Sequence, residues 1–196
     1  MKSRLLLPAV LAFAGAALTC TAVAAPVTYT ADPNHTHPAF EVDHMGGVSV
    51  WRGFFKKATG TIVLDKAAGT GTVDMDIDLN SAVMPNDALT AELPGDKFFQ
   101  ANKYPTAHYH GTLGGFVNGA PTTVTGELNL HGVTKPVNLK ILSFKCIMHP
   151  FYKVEDCGAD ATGTFNRDDF GIDGGKAYGF NMGVTLRIQV EALAPK

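Results

Sequence analysis

The chain is poor in sulfur, tryptophan and charge: of its 196 residues three are Cys, one is Trp, and 17% are charged. No basic run exceeds the pair Lys56-Lys57, which excludes a nucleic-acid surface of the clustered kind. There is no Gly-rich phosphate loop and no Cys-x-x-Cys, and Ser49, Ser81 and Ser143 stand outside any nucleophile-elbow pattern. Beyond the amino-terminal segment no apolar stretch is long enough to cross a bilayer as a helix. Enzyme classes that depend on those motifs are therefore without support, and the expectation is a non-enzymatic protein.

What is present begins with Met1-Lys2-Ser3-Arg4, the apolar run Leu5–Leu18, and small residues at Ala22-x-Ala24. That order predicts a secretory signal peptide over 1–24, cleaved after Ala24 because a later cut would place Pro26 beyond the scissile bond. Cys20 offers a lipoprotein alternative, against which Thr19 is bulkier than the residue usual before a lipidated cysteine. Loss of Lys2 and Arg4 takes the basic side chains from 16 to 14 against 18 acidic, formally −4, in one domain over 25–196. The expected product is exported and periplasmic. In an oxidising compartment Cys146 and Cys157 most simply form a disulfide, and a redox or metal pair is the alternative.

Thr72–Leu79 alternates apolar and polar residues without a fault, and 127–130, 137–141 and 184–193 repeat the rule. Each is a strand with one wet face. Turn residues separate them: Ala67–Gly71, Asn118-Gly119 and His131-Gly132. Short turns between one-wet-face strands imply an antiparallel meander. Asn86 caps a short predicted helix over 87–93, stopped by Pro94-Gly95, and Asp96 is placed to cap a second turn through Gln100. About eight strands plus this insertion fit a closed all-β barrel with room for one small ligand; a β-sandwich is the alternative.

Parity selects candidate interior residues. Phe40, Val42 and His44 share one face, and Ser49, Trp51 and Phe55 share the face of the next strand. Phe98, Phe99 and Tyr104 cluster near the insertion, and Tyr109 is the inward residue of His108-Tyr109-His110. Much apolar wall with few polar points suits a long apolar ligand, although aromatics also fill ordinary cores. His44 reads either as a donor to a head group or as a core histidine satisfied locally. His108 and His110 face outward by the same parity, and His35 and His37 are expected at a barrel rim. Both pairs have the i, i+2 spacing of metal ligands, without an evident third donor. Asp168-Asp169 are adjacent carboxylates that point apart, with Arg167 as a solvated partner.

Five ordered blocks resemble one family, the YceI-like, polyisoprenoid-binding periplasmic proteins. They are Asp32-x-x-His35-Thr36 through Gly53-x-Phe55; Phe98-Phe99 with Lys103-Tyr104-Pro105; Gly126–Val137; the Cys146/Cys157 pair with Gly158–Ala161; and Arg167–Ile172. The resemblance implies a single lipocalin-like antiparallel barrel holding a long isoprenoid chain, polyprenyl or quinone, and no other cofactor. It implies an isoprenoid lipid as partner, no nucleic acid and transient contact with the inner membrane, leaving monomer or homodimer open. Pro85-Asn86-Asp87-Ala88 departs from a more basic run, which implies a head group less anionic than a diphosphate.

Overall fold

The computed structural model describes residues 25–196. The expected signal peptide, its cleavage site and the Cys20 alternative fall outside them. The chain forms one antiparallel 12-stranded sheet. Its strands are β1 (Val27–Ala31), β2 (Ala39–His44), β3 (Ser49–Phe55), β4 (Ala58–Asp65), β5 (Thr70–Asp78), β6 (Ala82–Val83) and β7 (Thr106–Gly114). They continue as β8 (Thr123–Leu130), β9 (Val133–Pro136), β10 (Leu139–Met148), β11 (Glu155–Asn166) and β12 (Gly183–Leu193), with one helix, α1 (Asp87–Glu92).

These twelve are eight long staves, four of them kinked, and they close into a barrel. β1 and β2 both lie against β12, through Ala31–Ala192 and Val42–Val184, so they form one bent stave. β3 and β4 follow the same bend, β3 on β2 and β4 on β1; β5 and β6 follow it again on β4 and β3. β9 and β10 are one stave broken at residues 137–138, both against β8. Closure by β1 on β12 removes the open sheet edges that a sandwich of this meander would leave.

The first bend corrects one expectation. Asp32 folds its carboxylate onto the Asn34 N–H at 2.9 Å and His35 Nδ1 at 2.8 Å. The segment stays stitched to β12, with Asp32 N–H donating to the Glu191 carbonyl (2.8 Å) and His37 N–H to that of Gln189 (3.2 Å). His35 and His37 therefore sit part-way along the wall, on its outer side, and not at a rim. β12 is long enough to hold both halves of the bent stave, so the chain between them never leaves the wall.

Alternation sets the rest. Ala107, Tyr109, Gly111 and Leu113 of β7 and Val124, Gly126, Leu128 and Leu130 of β8 are buried, while the residues alternating with them face out or are only half-buried. The Tyr109 hydroxyl crosses β8 to donate to the Val137 carbonyl at 2.9 Å, at the break between β9 and β10. Gly126 makes that path possible, because a Cβ there would lie 2.5 Å from the hydroxyl oxygen. The turns after β7 and β8 place Asn118-Gly119 and His131-Gly132 at positive φ, as hairpins of this hand require. At the helix, the Asn86 side chain accepts from Leu89 N–H at 2.9 Å, as predicted. Residues 97–100 form turns without a helix, and Asp96 contributes its backbone carbonyl, not its side chain, to Gln100 Nε2 at 3.4 Å.

Candidate functional site

A cavity of about 420 Å³ runs along the inside of the barrel. Its far half is walled by aliphatic and aromatic residues such as Leu64, Met75, Leu128, Leu139 and Phe144. Its other half, under α1, is mostly aromatic. Phe40 packs on Phe55 (5.6 Å between ring centroids) and Phe55 on Phe99 (5.7 Å). Leu89 of α1, with Leu93 and Phe98 beyond its end, completes this side. Thr90 ties the helix down, its Oγ1 accepting from Met84 N–H (2.9 Å) and donating to the Met84 carbonyl (3.0 Å).

Polar groups along the wall are already engaged. Thr36 donates to the Glu191 carbonyl at 3.0 Å, and Tyr29 donates to Glu155. Burial, with the Glu155 carboxylate second, pushes the Tyr29 hydroxyl far above its usual range; burial lifts that of Tyr109 to about 12. Both stay neutral across the physiological range, so the shaft carries no charge from them.

The exposed polar chemistry is gathered at the mouth. His44 stacks on Trp51 (4.4 Å, 21°) and lies 5.4 Å from Phe180. Asp43 accepts from the backbone N–H of Gly46 (3.0 Å) and Asn181 (2.9 Å), pinning two mouth loops together. The Asn181 N–H, opposed by partial burial, holds that carboxyl below the usual range. Arg167 also lines the cavity, donating to the carbonyls of Ile172 (3.2 Å) and Gly174 (2.6 Å). It makes no ion pair among the described residues, and burial lowers its pKa without threatening a guanidinium's charge.

Of the ten residues singled out by parity and clustering, Phe40, Val42, His44, Trp51, Phe55, Phe98, Phe99 and Tyr109 line the cavity. Ser49 and Tyr104 do not. Ser49 has the inward parity but pairs with His44 where the wall ends, leaving it exposed with Oγ 3.5 Å from His44 Nδ1. Tyr104 lies in a turn, where alternation has no meaning. Its ring meets His131 edge-on at 4.7 Å, packs over Gly132, and lies under the Lys103 ammonium at 4.9 Å.

Sequence reasoning missed Phe180 and Arg167. Phe180 sits in the glycine-rich stretch 171–183, which has no period. Arg167 is no solvated partner of Asp168, which instead binds Lys176 at 2.7 Å; the guanidinium turns inward. His108 and His110 face out and contact acids, His108 with Asp76 at 2.9 Å and His110 with Asp74 at 3.4 Å. Cys146 and Cys157 are joined as a disulfide between directly opposed residues of β10 and β11. They are also, with Glu155, the metal-spaced donor group among the described residues, and the bond occupies both sulfurs.

Comparison with known proteins places this barrel. A family profile described as the YceI-like domain matches residues 29–192. The chain belongs to the YceI-like family. This YceI-like chain is 30% identical over 177 residues to a UPF0312 protein of Pseudomonas putida strain W619, covering 89% of the chain and 90% of that protein. Its fold is similar to that of a polyisoprenoid binding domain from Saccharophagus degradans implicated in plant cell wall breakdown, with a TM-score of 0.61 at 17% identity, over 86% of this chain and 99% of that one. It is similar in fold to a Campylobacter jejuni YCEI protein too, with a TM-score of 0.63 at 24% identity, over 74% of this chain and 85% of that one.

Proposed function

We propose that this YceI-like protein is a periplasmic carrier or store for one long-chain isoprenoid lipid, polyprenyl or quinone. The observation that carries the reading is the shaft itself: an apolar cavity along the barrel whose charged lining residues, Asp43 and Arg167, are confined to one end. Each isoprenoid unit drawn in removes apolar surface from water at roughly 25 cal/mol per Å², so retention rises with chain length until the shaft is full. The binding domain of Saccharophagus degradans, described as polyisoprenoid binding, supports the same class of ligand. Function then consists of burial alone, with no bond made or broken.

At the mouth, His44 and Arg167 can donate to a carbonyl or hydroxyl, while the Asp43 charge close by disfavours a doubly charged head. This points to a quinone or a neutral prenol before a diphosphate. Native mass spectrometry of protein purified from its own cells, with organic extraction, should recover a hydrophobic ligand. Empty protein that takes up neither a prenol nor a quinone in solution would overturn the reading.

A further inference from the structure

At the end of the barrel opposite the mouth, the β10–β11 hairpin projects with its apolar residues outward. Phe151 is 83% exposed, Met148 65%, Tyr152 51% and Ile147 47%. None of the four belongs to the barrel core, yet the hairpin is firmly braced. The His149 imidazole accepts from the backbone N–H of Phe151 (3.2 Å) and Tyr152 (3.1 Å) and stacks on the Tyr152 ring at 4.3 Å. The Cys146–Cys157 disulfide clamps its base. On one side it is also free of the barrel wall, since β10 pairs with β8 only through Leu139–Val124 and Lys140–Thr123. A rigid, exposed aromatic tip is the form a surface takes when its partner lies outside the chain.

The charges around the tip decide the partner. Lys145 and Lys153 are exposed and make no ion pair among the described residues. Two acids at the base are paired, Glu155 with Lys66 (2.6 Å) and Tyr29, and Asp32 with His35 (2.8 Å); Asp160 keeps an exposed charge, bonded to the Ser143 hydroxyl (2.9 Å), but stands five residues farther along β11 from the tip than Glu155. Asp156 is 8% exposed. Aromatic rings between free lysines match the boundary of an anionic bilayer, with rings at headgroup depth and ammoniums on phosphates. We infer that this hairpin docks the protein on an anionic phospholipid surface through Phe151 and Tyr152, with Lys145 and Lys153 on the headgroups.

The inference stands apart from the ligand in the barrel, and its test uses none. Full-chain protein purified from its own cells is co-sedimented with vesicles of phosphatidylcholine, alone or in equal parts with phosphatidylglycerol. Binding should require the anionic lipid and fall about tenfold in the F151S/Y152S double variant. K145Q and K153Q should each weaken it about fivefold. Unchanged near-ultraviolet circular dichroism keeps a loss in these variants from being a folding failure. The single tryptophan supplies a second readout, because Trp51 lies at the mouth end. Brominated lipid should leave its fluorescence unquenched in the bound state. Quenching of Trp51, undiminished binding of the double variant, or a hairpin that engages only a protein and never vesicles would each overturn the proposal.

Discussion

The two ends of the barrel put apolar side chains to opposite use. At the mouth, Phe40, Phe55, Phe99, Trp51 and Phe180 face inward around a cavity and are covered by α1 and the 171–182 loop. At the hairpin end, Ile147, Met148, Phe151 and Tyr152 face outward and stay about half exposed or more among the described residues. The supports differ accordingly. The mouth is held by packing and by the carboxylate of Asp43 bridging two loops; the hairpin is held by a covalent bond and a histidine cap. Aromatic content alone thus does not distinguish a wall from a docking surface. What distinguishes them is whether the supporting structure lies over the rings or behind them.

Four measurements sharpen or break that contrast. The largest effect belongs to the mouth. Phe170, 1% exposed and edge-on to Phe165 at 5.2 Å, anchors the turn from which Arg167 reaches inward. Phe170→Ala should cost about 3–5 kcal/mol of unfolding free energy in denaturant and release bound lipid with it. A variant that keeps its stability would mean the mouth is not held by packing. Next comes the hairpin clamp. Cys146→Ser with Cys157→Ser opens a loop of sequence separation 11, worth about 3 kcal/mol in the chain-entropy model. Lipid retention below the melting transition should survive, since the change falls at the other end.

Third, Trp51→Ala removes the stack on His44 and should weaken ligand retention about tenfold, whereas His108→Ala on the outer wall should leave it within about twofold. Equal effects from competitive extraction would show that strand parity does not separate lining from surface. The smallest effect probes the bend joining the two ends. The hydrogen bond to Asp32 raises the His35 pKa, so its stabilisation is complete below about 6.5 and fades as pH rises through the higher folded value. Burial works against the Asp32 charge, but the Asn34 N–H and the His35 imidazole outweigh it and lower its pKa. That contribution is complete above about 3.9 and is lost as pH falls through the lower folded value. His35→Gln should flatten the thermal midpoint's decline as pH rises past about 6.5; an unchanged profile would separate the bend from that pair.

Much of this was legible from residue order because period-two alternation fixes the inward face at once. β5, β7, β8 and β12 follow it, and on β2, β3 and β7 the same rule picks out six of the eight lining residues named from sequence; Phe98 and Phe99, in a turn, came from their clustering near the helix. Alternation tells which way a side chain points but not where the barrel stops, which is why Ser49 has the right parity and the wrong surroundings. It is silent in turns, hence the misplacing of Tyr104 and the omission of Phe180. Arg167 escaped for another reason: beside two aspartates a guanidinium reads as solvated, and only the loop that folds over it, offering the Ile172 and Gly174 carbonyls, turns it inward. The bent staves were hidden as well, since Pro33 and Pro38 look like breaks, whereas a bend that keeps both halves on β12 leaves no local mark.

The placement of β12 has a consequence in time. β12 is the seam on which β1 and β2 close, at Ala192–Ala31 and Val184–Val42. No enclosed shaft exists until β12 is in place, and contacts between elements so far apart in sequence form slowly, in milliseconds to seconds for topologies of this kind. The chain therefore cannot enclose a ligand before β12 has docked. Whatever fills the barrel is acquired in the compartment where β12 closes it.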